Sequence, residues 1–429
     1  MKGKMGGTIR IEGGRDSSFQ CDIVGKLTRT EALKRRDLTM VSPMRTILFA
    51  NVGADMYGAD YVLLCLVRSL SPEKFQSIVI VPYSGPLVSE LEKAGATVIV
   101  REFPVLRRSV FTPIGILRFG WQMSTGLVFV LRLVRSRRVD ILHTNTASLW
   151  VPGIAARCLK KPHIWQVMEL VERPRIVALA MAKMTGLFSN KVFCISDAVR
   201  DHFRKDNPRR LQKFQTLYHG VDTSEYDPAK ARGQIVRASL GIPDEAIVVL
   251  YAGRFSAWKG QDIFATAIPL VLAKTKKDVR FVMLGTCFPG QEEFELQLRE
   301  TIRALNLPPD RVYLKGFQNN LPDWMNASNF FVLPSKNPEP NATVLIGAMA
   351  MGLPCIGTRI GGTVESIIDG ETGIQISPSS SQDLAEAELQ LIENPELRLR
   401  MGRAGRERAL ATFSMTHYCD TVQNAYDRL

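Results

Sequence analysis

No two of the seven cysteines (Cys21, Cys65, Cys158, Cys194, Cys287, Cys355 and Cys419) lie at CxxC spacing. That scatter indicates neither a zinc site nor a disulfide framework, and reduced thiols in a cytosolic protein are the expectation. No uninterrupted apolar run nears the ~18 residues that a bilayer crossing needs, so no spanning segment is expected. The first 43 positions carry no apolar core of the kind a cleavable signal requires. There is no zinc finger, no RNA-binding signature and no continuous Lys/Arg block. A net charge of +13 therefore does not make nucleic acid the expected partner. Acid is nearly missing from residues 101–138, which hold eight arginines and a single acidic residue, Glu102.

With 45% hydrophobic and 23% charged residues, the 429-residue chain is globular and long enough for two ordinary domains. Residues 1–43 are polar, patternless and rich in Gly, Lys and Arg, and read as a flexible basic tail. From Thr46 onward, short apolar strands alternate with helices through residues 44–222. The alternation restarts over 234–411, after a linker in Tyr218–Gly233. Strands of this kind separated by helices predict parallel sheets covered on both faces. Two such doubly wound units leave a cleft at the carboxyl ends of their strands, where ligands bind.

The stretch Leu333–Gly373 is the most informative. It reads as a buried strand, a loop with one acid (Glu339), a helix rich in small residues, a second strand and a Gly-Gly turn. The free N–H groups of that helix start near Ala342, Thr343 and Val344, and a helix N-terminus suits phosphate. Asn341 or Thr343 is placed to cap it. Gly347 inside the helix costs about 1 kcal/mol against alanine, with no compensating gain visible in the sequence. Upstream, Tyr251–Gly260 ends a strand and carries Arg254 and Lys259, two cations suited to clamp a diphosphate. In the first half, the loop Asn51–Asp60 with Gly58 lets backbone approach a ligand. His143 at a strand end reads as a structural histidine more than a base. Asn145 is a candidate partner for a sugar hydroxyl, and Glu169 is the best carboxylate of the first domain.

These segments resemble family 4 glycosyltransferases, the large retaining group with the GT-B fold. The resemblance covers roughly Met44–Leu429, with Gly361-Gly362-Thr363-Val364-Glu365 adding to it. It implies two Rossmann-like domains facing across a cleft, with the last helix, within 412–429, packing back on the first. The family pairs two glutamates eight positions apart; here Glu339 is followed by Gly347. Carried over residue by residue, Glu339 reaches the donor sugar. Arg254, Lys259 and the amides of Ala342, Thr343 and Val344 neutralise the diphosphate without a metal, and Gly58 and Asn341 lie beside it. The position of Gly347 would hold the ribose, and a charged hydrogen bond lost there is worth about 1.5–3 kcal/mol. Glu169 is all that remains of a His-x-Arg-Glu segment. The implied activity moves a hexose from a nucleoside diphosphate sugar to a glycan or lipid-linked glycan. The alternative is a weakened or non-catalytic nucleotide-sugar-binding protein or partner subunit. The arginine-rich segment 101–138 is either a helix lying on an anionic membrane or a buried helix with a basic end, which makes a peripheral position on the inner face of the plasma membrane an expectation.

Overall fold

Continuous apolar strands need cover on both faces, and the chain supplies it twice. The computed structural model describes residues 44–429 except Tyr57, Arg107, Glu172, Phe288 and Pro289; the tail expected over 1–43 lies outside the described residues. The first sheet has seven strands: β1 (Arg45–Ala50), β2 (Phe75–Val81), β3 (Thr97–Val100), β4 (Ile141–Thr144), β5 (His163–Val167), β6 (Lys191–Cys194) and β7 (Phe214–Thr216). Its helices are α1 (Gly58–Ser69), α2 (Pro86–Lys93), α3 (Pro113–Ser136), α4 (Val151–Cys158), α5 (Arg175–Phe188) and α6 (Asp197–Lys205). The strand order is β3-β2-β1-β4-β5-β6-β7, all parallel, with Ile47 opposite Ser77 on one side and Ile141 on the other.

The second sheet has six: β8 (Ile247–Ala252), β9 (Val279–Leu284), β10 (Val312–Lys315), β11 (Phe330–Leu333), β12 (Cys355–Thr358) and β13 (Gly373–Ile376), ordered β10-β9-β8-β11-β12-β13. Its layers are α7 (Gly233–Leu240), α8 (Gln261–Leu272), α9 (Glu293–Ala304), α10 (Leu321–Asn326), α11 (Thr343–Ala350), α12 (Thr363–Ser366), α13 (Ser381–Glu393) and α14 (Pro395–Thr412). The last helix, α15 (Met415–Asp427), returns to the first sheet. Its Tyr418, Val422 and Tyr426 are buried in one cluster with Phe49 of β1 and Leu63 of α1. This is the two-domain GT-B architecture expected from the sequence.

Each sheet reverses its strand order once, between β1 and β4 and between β8 and β11. Loops leaving the two strands at such a switch part to opposite sides and open a crevice. In the second sheet those loops are 253–260 and 334–342, the segments that carry Arg254, Lys259 and Glu339.

The arginine-rich segment folds mostly as one helix with two unlike halves. Helix α3 has 24 residues and is long and apolar enough by composition to cross a membrane. Its second half is part of the domain, with Gly126, Val130, Leu133 and Val134 buried. Its first half is mostly exposed.

Candidate active site

At the crevice of the second sheet, Lys259 Nζ lies 2.7 Å from Glu339 Oε1 and 2.8 Å from Oε2. Ser335 Oγ donates to Glu339 Oε1 at 2.8 Å. The two loops thus meet through a cation and an anion, both largely buried, and Arg254 shares the same wall. The backbone of Glu339 is pinned from below. Gly362 N–H donates to Glu339 O at 2.6 Å, and Gly361 sits at φ 57°. A Cβ at Gly361 would lie 2.6 Å from that carbonyl oxygen. The glycine pair therefore serves the geometry of the acidic loop: only a residue without Cβ takes that φ freely and approaches this closely.

Helix α11 begins at Thr343 behind Glu339. Its N-cap is Ala342, with no side-chain cap. Asn341 does not cap it, contrary to the sequence expectation. Its amide turns instead toward the linker and donates to His219 O at 3.4 Å. The first amides of α11 are left without side-chain partners, which is the condition for receiving an anion. Helix α1 of the other domain starts opposite: a methyl at Gly58 would stand 3.6 Å from Thr343 Oγ1. Two helix starts with positive dipole ends thus meet at one point.

A cavity of about 670 Å³ fills the cleft. Arg254, Lys259, Glu339, Thr343 and Val344 line it from the second domain, and Met168, Glu169, Leu170 and Val171 from the first. Gly58, Asn341, Ala342 and Gly347 do not line it. Trp258, Phe317 and Gln318 do, and the sequence had no periodic signal that singled them out.

Glu169 is braced rather than loose. Its carboxylate accepts from Ala147 N–H and Met168 N–H, both at 3.1 Å, and from the Thr146 hydroxyl. It ties the loop after β4 to the loop after β5. Burial pushes its carboxyl up to about 7 despite those bonds. Gln166, within the same degraded motif, is buried and bonds Tyr418 OH at 2.7 Å and His219. His143 is fully buried against Tyr426 OH, and desolvation lowers its pKa to about 3. A neutral imidazole sealed from the cleft is structural, as its strand-end position implied. Asn145 is likewise buried, donating to Asn51 Oδ1 at 3.4 Å.

Gly347 has the compensating gain that the sequence hid. A Cβ there would lie 2.5 Å from Cε1 and 3.0 Å from Cδ1 of Tyr226, whose ring is packed against the helix. Tyr226 belongs to the linker turn. That turn is held to the end of α11 by Arg406, which donates to Ala350 O and faces Asp227 at 3.7 Å. From the first domain, Tyr61 OH donates to Glu225 Oε2 at 3.1 Å. The glycine is the space that lets the linker pack.

Glu365 links the domains, and the sequence pattern had marked it for recognition alone. Its carboxylate accepts from Asp197 N–H at 2.6 Å and Ala198 N–H at 2.7 Å, the first amides of α6, and from Tyr218 OH at 2.9 Å. A carboxylate of the second domain thus caps a helix of the first. Among the described residues, no group of His, Cys, Asp and Glu could hold a metal ion.

Residues 56–225 match Glycosyltransferase Family 4, and residues 234–408 match Glycosyl transferases group 1. The chain is 31% identical over 318 residues to the D-inositol 3-phosphate glycosyltransferase of Arthrobacter sp., covering 66% of this chain and 70% of that one. It is 24% identical over 381 residues to the UDP-Gal:alpha-D-GlcNAc-diphosphoundecaprenol alpha-1,3-galactosyltransferase of Escherichia coli, covering 86% and 93%. Its fold is similar to that of Anabaena HepE, crystallised with UDP-glucose: TM-score 0.75, 22% identity, 90% of this chain and all of that one. The chain belongs to family 4 of the glycosyltransferases. It is a retaining glycosyltransferase that uses a nucleotide-sugar donor.

Proposed function

We propose that the protein transfers a hexose from a uridine diphosphate sugar to a hydroxyl of a lipid-linked glycan. The observation that carries this is the Lys259–Glu339 pair at 2.7 Å on the wall of a cleft cavity beside an uncapped helix start. Lys259 and Glu339 neutralise one another. A bound donor would offer each a better partner, with diphosphate oxygens for Lys259, Arg254 and the α11 amides, and sugar hydroxyls for Glu339. The donor C1–O bond breaks toward the diphosphate while the acceptor oxygen attacks from the same face. The acceptor proton passes to the departing phosphate oxygen, so nucleoside diphosphate leaves and configuration is kept. This front-face course needs no enzymatic nucleophile. The cations and amides stabilise charge that grows on the leaving group. The E. coli relative, whose name gives both, favours uridine and a lipid-linked acceptor, and the UDP-glucose bound to HepE favours uridine.

A thermal-shift panel of UDP-, GDP- and ADP-sugars tests the donor, followed by nucleoside diphosphate release with polyprenyl-diphosphate-linked glycan present. A shift with UDP-sugars and release that depends on the acceptor are expected. Tight donor binding without release under any acceptor would replace this reading with a binding subunit.

A further inference from the structure

We propose that the outward face of helix α3 docks the protein on an anionic lipid surface. The proposal is independent of which sugar or acceptor the cleft takes. Helix α3 is ~36 Å long at 1.5 Å per residue. Its two faces have opposite fates. Gly126, Val130, Leu133 and Val134 recur on one face and are buried against the first sheet. On the other, Ile114, Leu117, Trp121 and Val128 recur at helical spacing and are 80%, 76%, 69% and 47% exposed. Arg118, Arg132 and Arg135 fall on that same face and are exposed. The helix has no acidic residue; the nearby acid Glu102 lies 3.7 Å from Arg118, with both side chains solvent-exposed.

A stripe of apolar side chains with arginines at its middle and far end is the composition of a helix that lies in the headgroup layer. Ion pairs with lipid phosphate satisfy the guanidinium groups while the apolar side chains leave water. A protein partner would have to match arginine along the whole helix; an anionic bilayer does so without shape matching, and that favours lipid over a second copy. The opposite side of the same helix packs toward the cleft. Phe119 packs edge-on against Trp150 at 6.2 Å. Trp150 shares a cluster with Val177 of α5 and with Leu170 and Val171 of the cleft wall. At the start of α5, Ile176 is 75% exposed and Arg173 is exposed beside it. The helix that carries the stripe is thus packed, through its other face, onto the first-domain side of the cleft.

The test uses the full chain and sedimentation with vesicles of phosphatidylglycerol and phosphatidylcholine in equal parts, against phosphatidylcholine alone. Binding to the anionic vesicles that weakens with salt is expected, with a blue shift of tryptophan emission that Trp121→Phe abolishes. Arg118→Glu/Arg132→Glu/Arg135→Glu should lose roughly fivefold per arginine. Leu117→Glu/Trp121→Glu should lose binding while keeping the donor thermal shift, which shows that the variant folds. Equal binding to both vesicles, or to neither, would overturn the proposal. So would a dimer in solution that Leu117→Glu dissociates, since the stripe would then be covered by a second copy.

Discussion

The two walls of the cleft are built from the same fold and differ in chemistry. The second-domain wall carries opposed charges within hydrogen-bonding distance, Lys259 and Glu339, with Arg254 beside them. The first-domain wall is mostly apolar (Met168, Leu170 and Val171), and its one acid, Glu169, spends its hydrogen bonds on its own loops. The interiors differ too. One continuous cluster fills the second domain, whereas the first divides into separate clusters on its two sheet faces, one of which borrows α15. A wall that must grip a diphosphate needs charges set before the ligand arrives, because reorganising them costs rate. On the proposed function, the first-domain wall would receive the acceptor on a braced, mostly apolar surface.

The comparison breaks most visibly at the charged wall. Lys259→Ala or Glu339→Ala should lower kcat/KM by about 10²–10³-fold, as removal of a preorganised charge partner does. Glu169→Gln should leave most of kcat/KM and alter its pH profile between pH 5 and 8. An equal loss from Glu169→Gln would show that the two walls share the chemistry.

Next in size is the packing of the linker. Gly347→Glu should destabilise the protein by about 1–3 kcal/mol through overpacking against Tyr226, read by chemical denaturation. Adding Tyr226→Ala should recover part of that loss. Higher donor affinity from Gly347→Glu alone, without loss of stability, would mean that the ring moves aside readily.

The interdomain cap should weigh less. Glu365→Ala removes the partner of two α6 amides and should cost about 0.5–2 kcal/mol. Because the contact joins the domains, donor KM should change more than the stability of either domain. A change in neither would leave Glu365 a surface residue.

The smallest effect contrasts the two interiors. Glu388 on α13 is fully buried, and both its carboxylate oxygens lack partners. Burial raises its pKa well above the usual carboxylate value. The folded state therefore holds a proton that the unfolded chain gives up above pH ~4.3. Stability is undiminished by Glu388 below that pH and falls as pH rises toward the folded pKa. Glu388→Gln should flatten this slope and raise Tm at neutral pH. A parallel pair of Tm–pH curves for the two proteins would refute it.

Much of the site was legible in sequence. Arg254, Lys259 and Glu339 follow strands β8 and β11, and strand ends at a topological switch are where chemistry collects. The start of α11 was placed within a residue, since small residues and a Pro-containing loop mark it. Misplaced was the cap: Asn341 has the right chemistry but precedes the N-cap Ala342 by one residue, and while its Nδ2–H donates to His219 O its Oδ1 meets no amide of α11. Illegible were the roles of Tyr226 and Glu365, whose partners lie 121 and 168 positions away along the chain. No local pattern encodes such distances.

The alternation of short apolar strands and helices, a local property of neighbouring residues, determined by itself that this chain makes two parallel-sheet domains with charged loops at their strand ends. Tertiary structure alone decided that Lys259 meets Glu339, that a linker aromatic occupies the space left by Gly347, and that one half of α3 is core and the other half surface. Those outcomes depend on which distant surfaces come into contact, and contact between distant segments is settled by packing volume and partner availability.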